Sequence, residues 1–163
     1  MEDETSTETF TEIFSAMRLS DILGDKLVKA QVVADCASLI DNQVASKGGF
    51  GGMALKTTYG VVKGMNSGYI PGAIERILPE VVTSLEPLWA EGKQAGDPVA
   101  YLTQNQVRAA DVILGVTDRR IAKTDNGLVR SSYTKLRQSV KGDVESAVPG
   151  LAKIFGRYSV VAS

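Results

Sequence analysis

"SDILGDKLVKAQVVADCASLIDNQVAS", residues 20–46, decides the fold class. Its apolar residues Ile22, Leu23, Leu27, Ala30, Val33, Ala37, Ile40 and Val44 recur mostly at steps of three and four. That period belongs to a helix, in which every third or fourth side chain returns to one side. Ser20 or Asp21 stands where an N-cap belongs, and Asp25, Lys29, Asp35 and Asp41 fall between the apolar positions on a solvated face. A helix over 22–46 is the expectation.

The same period extends outward in both directions. Toward the N-terminus, Phe10, Ile13, Phe14 and Met17 mark a short helix between Phe10 and Leu19, preceded by the acidic, Thr-rich residues 1–9, which read as a disordered tail. Toward the C-terminus, "IPGAIERILPEVVTSLEPLWAEG", residues 70–92, reads as helices entered at Pro71 and Pro79, since proline fits a first turn. Leu78, Val82, Leu85 and Trp89 make its buried stripe, and Pro87 is expected to kink or end it. Asp97-Pro98 starts another helix, whose stripe of Val99, Leu102, Val107, Ala110, Leu114 and Ile121 breaks near Asn105. Asp125-Asn126-Gly127 is a turn, and Leu128–Val148 and Leu151–Tyr158 are closing helices parted by Pro149-Gly150. No run alternates as a strand does. The reading is an all-α compact bundle of about six to eight helices, one domain over 10–163 behind a tail over 1–9.

Composition excludes several kinds of chemistry. The 163 residues include no histidine and one cysteine, Cys36, so Ser-His-Asp and Cys-His arrangements, His-containing zinc sites and an internal disulfide are ruled out. The expectation is a non-enzymatic protein without a cofactor or metal. Acid stands where a signal peptide would carry base, and no long run lacks charge, so a cytoplasmic protein without membrane insertion is expected. The net charge of −1 hides a polarity: residues 1–41 carry nine acids and three bases, residues 105–163 five acids and ten bases.

"KGGFGGMALKTTYGVVKGMNSG", residues 47–68, resembles a phosphate-binding loop at first sight, but Leu55 stands before Lys56 where a glycine is required. GGFGG is expected to break the chain and a helix to run from Met53 to Met65. Gly60, Gly64 and Gly68 would bare one face of it, and glycine costs about 1 kcal/mol in a helix, which points to a partner helix, a second subunit or a ligand approaching the backbone. In "VTDRRIAKTDNGLVRSSYTKLRQSVKGD", residues 116–143, Arg119 and Lys123 share a face, as do Arg130, Thr134, Arg137 and Lys141 on the next helix. Arginine's planar fork suits phosphate or a guanine edge, and Tyr133, Tyr59 or Tyr69 offers a stacking surface. A solvated face paired with Asp118, Asp125 and the acidic N-terminal third accounts for the same rows without a ligand. Duplex DNA binding is not expected at a pI near 5.5.

Taken together, "LIDNQVASKGGFGGMALKTTYGVVK", "IPGAIERILPEVVTSLEPLWAE", "VILGVTDRRIAK" and "YTKLRQSVKGDVESAVPGLAKI" resemble a family of small, functionally uncharacterised all-helical bacterial proteins, of actinobacteria and cyanobacteria, over residues 22–158. The resemblance implies a shared helical fold and no catalytic residues. A fainter likeness is to cyanobacterial cyclic di-GMP receptors, which hold the dinucleotide at a dimer interface and act through a transcription-factor partner. The functional expectation is a homodimeric regulator binding an anionic nucleotide through Lys56, Tyr59, Arg119, Arg120, Arg130, Tyr133 and Arg137. The alternative is a protein-interaction module with no small-molecule ligand.

Overall fold

In the computed structural model, which describes residues 17–65 and 68–161, the chain is helical almost throughout. The expected tail over 1–9 and most of the short helix expected between Phe10 and Leu19 lie outside the described residues. A 3₁₀ turn at Leu19–Leu23 leads into seven α-helices: α1 (Lys26–Ser46), α2 (Gly49–Met65), α3 (Tyr69–Gln94), α4 (Pro98–Gln104), α5 (Gln106–Ala122), α6 (Gly127–Leu136) and α7 (Lys141–Val161). Among the described residues there is no strand, so the all-α reading holds.

The start of α1 differs from expectation, and its chemistry says why. The Asp25 carboxylate accepts from the backbone N–H of Leu27 at 2.8 Å and of Val28 at 3.1 Å, so Asp25 rather than Ser20 or Asp21 is the cap. The buried face turns with it. Val32, Val33 and Cys36 are enclosed, whereas Leu27 is 78% exposed and Ala30 and Ile40 also lie outside. Spacing alone admits both faces; the packing of α1 on α3 and α7 selects one. Burial, reinforced by the neighbouring Asp35 charge, pushes the Cys36 thiol up to about 12.

GGFGG does not hold the chain outside a helix. α2 begins at Gly49, whose φ of +74° turns the chain after the extended Lys47. The Gly52 N–H then bonds the Gly48 carbonyl at 3.2 Å, an approach open only without a side chain, since a Cβ on Gly52 would stand 2.3 Å from the Lys47 oxygen.

α3 runs unbroken through Pro79 and Pro87, where separate helices were expected. Both prolines are exposed, as are Glu75 and Thr83, the residues four positions before them. The carbonyls that the missing N–H groups leave free therefore belong to the solvent side, where water can satisfy them. The opposite side buries Leu78, Val82, Leu85 and Trp89 as expected, joined by Ile74, Val81 and Leu88. The closing region is also divided differently. The chain leaves the helix at 137–140, between α6 and α7, and Pro149-Gly150 sits within α7. There the bare Gly150 admits Leu39 of α1, whose methyl lies 2.7 Å from where a Cβ would be. The expected row is thus split, with Arg130 and Thr134 on α6, Arg137 in the turn that follows and Lys141 at the start of α7.

Trp89 of α3 meets Phe155 of α7 edge to face, ring centres 6.3 Å apart at 86°. Around this pair α1, α3, α5 and α7 enclose the core, with α4 bridging α3 and α7 and the 3₁₀ turn inserting Leu19 and Ile22. Val107, expected in the core stripe, is 52% exposed; Ala109 is buried instead, beside Ala110, which is buried as expected. The Glu86 carboxylate accepts from the Leu19 N–H at 2.6 Å, and the Lys93 ammonium donates to the Met17 carbonyl, clamping the turn to α3. α2 and α6 form an outer pair, α2 against α1, α3 and α6, and α6 against α2 and α5.

The glycines divide by surroundings. Gly60 and Gly64 of α2 are exposed, and a Cβ on either would meet nothing within 4 Å. Gly64→Ala should therefore raise stability by about 0.5–1 kcal/mol. Gly92→Ala should lower it, because the added Cβ would lie 2.6 Å from the Pro98 Cα. Urea midpoints at unchanged m-value check both signs.

Candidate functional site

A groove of about 420 Å³ opens between the first half of α3, the end of α5, α6 and Ile40 of α1. That volume falls within the range of about 300–1,000 Å³ usual for small-molecule sites. Its floor is aliphatic: Ile40, Ile70, Ile74, Ile77, Ile121 and Val129. Helical spacing on α3 supplies three of these at 70, 74 and 77, while the other three arrive from three different helices. Around the floor stand Arg76, Arg120 and Lys123, with Tyr69, Tyr133, Thr117 and Thr124.

The cations are held in different ways. Arg120 Nε donates to Glu80 at 3.2 Å and its Nη2 to the Arg76 carbonyl at 3.1 Å, which orients the guanidinium with N–H groups to spare. Among the described residues neither the Arg76 guanidinium nor Lys123 takes part in an ion pair.

The hydroxyl of Tyr133 donates to Asp118 and shares a hydrogen bond of 2.7 Å with the Thr117 hydroxyl. Asp118 also receives a bidentate Arg137, Nε at 2.8 Å and Nη2 at 3.0 Å. Arg137, followed by Tyr133, holds the Asp118 carboxyl below the usual carboxylate value, and partial burial, with the Asp118 bond, pushes the Tyr133 phenol up. This latch ties α6 to the end of α5 and fixes one wall of the groove.

Of the seven residues expected to bind, Arg120 and Tyr133 line the groove together. Arg119 turns away to Glu80 at 3.3 Å, Arg137 serves the latch, and Arg130 donates to the Thr124 carbonyl. Tyr59 donates to Asp41 at 2.5 Å, beside Lys63 at 3.2 Å, and so joins α2 to α1 outside the groove. Burial first, then this bond, pushes the Tyr59 phenol up. Lys56 is exposed on α2 and does not line the groove. Lys123 and Tyr69 stood in the sequence pattern; Arg76 and the aliphatic floor did not. Arg76 could have been found by its place between Ile74 and Ile77, a lone cation set in an apolar stripe. Among the described residues no group of three or more acids and cysteines could hold a metal ion, and no helix is long and apolar enough to cross a membrane.

The chain belongs to a family of unknown function, DUF6918, whose model matches residues 19–159. This agrees with the expected membership of an uncharacterised family, and the match begins at Leu19, the first residue of the 3₁₀ turn. No curated protein and no solved structure matches the chain.

The latch makes the fold acid-sensitive in a defined direction. Because its pKa is lowered in the folded state, Asp118 contributes stability that is complete above its ordinary value of 3.8 and is lost as pH falls through the folded value. Below about pH 4 the urea midpoint of the native chain should therefore fall more steeply than that of Asp118→Asn, which forgoes the contribution at every pH.

Proposed function

We propose that this member of the DUF6918 family is a non-enzymatic regulator that takes a small anionic ligand in the α3–α5–α6 groove. The observation that carries the reading is the set of three cations, Arg76, Arg120 and Lys123, at an apolar groove, two of them in no ion pair among the described residues. An anion placed there would gain charge-assisted hydrogen bonds that the protein does not make for itself. In the nucleotide form of this reading, with cyclic di-GMP as the candidate, phosphate or guanine meets the arginines and Tyr69 or Tyr133 stacks on a base. Binding would act through α6, a wall of the groove that rests on α2. A surface of α2 would then pass the change to a protein partner, such as a transcription factor, in a homodimeric assembly.

Titration calorimetry and thermal shift with cyclic di-GMP, linear dinucleotides and nucleoside triphosphates test the nucleotide form. A binder should raise the melting temperature in proportion to the logarithm of its concentration above Kd. Arg120→Gln and Lys123→Gln should each weaken it by about 1–3 kcal/mol with the helical spectrum unchanged. Absence of heat and of any shift at millimolar nucleotide, for the whole panel, would remove that form.

A second reading, a protein-interaction module without a ligand, draws on a different observation. On α2, Met53 and Val61 are 67% and 48% exposed and share a face with the uncovered Gly60 and Gly64. Val61→Glu should then abolish self-association or partner binding, read as mass by light scattering, while Arg120→Gln leaves it intact.

A further inference from the structure

We infer that the part of the ligand buried in the groove is an aliphatic chain, so that the ligand is an anionic amphiphile of the acyl class, its charged head at the three cations. The inference rests on the reading of the groove as an anion site and names the chemistry of the ligand's other end.

Two observations carry it. The first is the floor: five isoleucines and a valine present no donor or acceptor to anything lying on them. A purine or pyrimidine edge pressed there would leave its polar atoms without partners, a cost a hydrocarbon chain does not incur. The second is the state of the wall hydroxyls. Tyr133 and Thr117 are engaged with each other, with Asp118 and with the Leu114 carbonyl, and Thr124 Oγ accepts from the Asn126 N–H at 3.4 Å, which leaves the Thr124 proton and the Tyr69 hydroxyl as the wall's remaining hydroxyl groups. A site built to discriminate bases needs unspent, fixed polar groups beside the ring. Here Arg120 is both charged and held in place, and the aliphatic surface beside it rewards only the removal of apolar area from water.

The carboxylate or phosphate of an amphiphile would lie against Arg120 and Lys123, with Arg76 adding charge from α3. The chain would run over Ile77, Ile74 and Ile70 along α3, facing Ile121 and Val129, toward Ile40. Ile40 is 36% exposed, so a larger side chain there can be accommodated without opening the core.

The test uses the full chain and sodium hexanoate, octanoate, decanoate and dodecanoate, each below its micelle concentration, followed by calorimetry and thermal shift. Affinity should tighten by about two- to fourfold for each added methylene until the groove is filled. Decanol, with the same chain and no charge, should bind more weakly than decanoate, and Arg120→Gln should remove most of that difference. Ile40→Trp, which fills the groove from its exposed edge, should abolish the chain-length dependence with the helical spectrum unchanged. An affinity independent of chain length, or one that Ile40→Trp leaves alone, overturns the inference. Nucleotide binding that depends on Arg120 beside a flat alkanoate series would overturn the inference and leave the anion site standing. Silence from both panels removes both. A dimer mass that falls on Ile40→Trp, with no response to any alkanoate, would assign the groove to a second copy of the chain and also overturn the proposal.

Discussion

The continuity of α3 is the constraint on which the rest of the molecule depends. A helix of 26 residues spans about 39 Å, and this one does so through two interior prolines. It can because both prolines face solvent, where water is able to satisfy the freed carbonyls, while the buried side keeps its apolar series whole. One end of that series holds Trp89 against Phe155 and forms the core with α7. The other end, from Ile70 to Ile77, forms the groove floor. The same continuous element thus serves the core along one length and lines the groove along another.

Helix existence was legible in the sequence, and helix boundaries were not. The three- and four-residue period of residues 22–46 is real, yet it fits two faces of α1, and only contact with α3 and α7 makes Val32, Val33 and Cys36 the inner one. Proline misled where it falls inside a helix, although Pro98 opens α4 as expected. Pro79 and Pro149 mark helix starts or breaks as local signals, but tertiary packing carries α3 and α7 through them. By contrast, Asp97 and Asn126 behave as their sequence context requires, because a cap is satisfied within three residues: Asp97 accepts from Ala100 and Asn126 from Leu128 and Val129.

The site divides along the same line. Arg120 ends α5 and Lys123 caps it, so the two fall together by spacing, and Tyr133 follows once the Asn126 turn folds α6 back on α5. Which arginines remain available depends on which carboxylates stand across from them. Asp118 claims Arg137 from 19 residues away, and Glu80 takes both Arg119 and Arg120, 39 and 40 residues away, leaving Arg120 at the groove with its remaining N–H groups. No periodicity within one helix contains that information. The floor is harder still, since four helices contribute to it and an isoleucine in a groove looks in sequence like an isoleucine in a core.

The lone thiol gives the bundle an internal clock. Cys36 lies on the inner face of α1 with its proton held far more tightly than in a free thiol, so the nucleophilic thiolate is scarce while the helices stay together. An alkylating reagent can reach it only when α1 lifts away from α3 and α7, and with one cysteine in the chain every labelled molecule records that single event. The labelling rate against reagent concentration therefore separates the frequency of opening from its equilibrium population. A ligand bound in the groove, where Ile40 sits one turn along from Cys36 on the same helix, would be felt as a slowing of that clock.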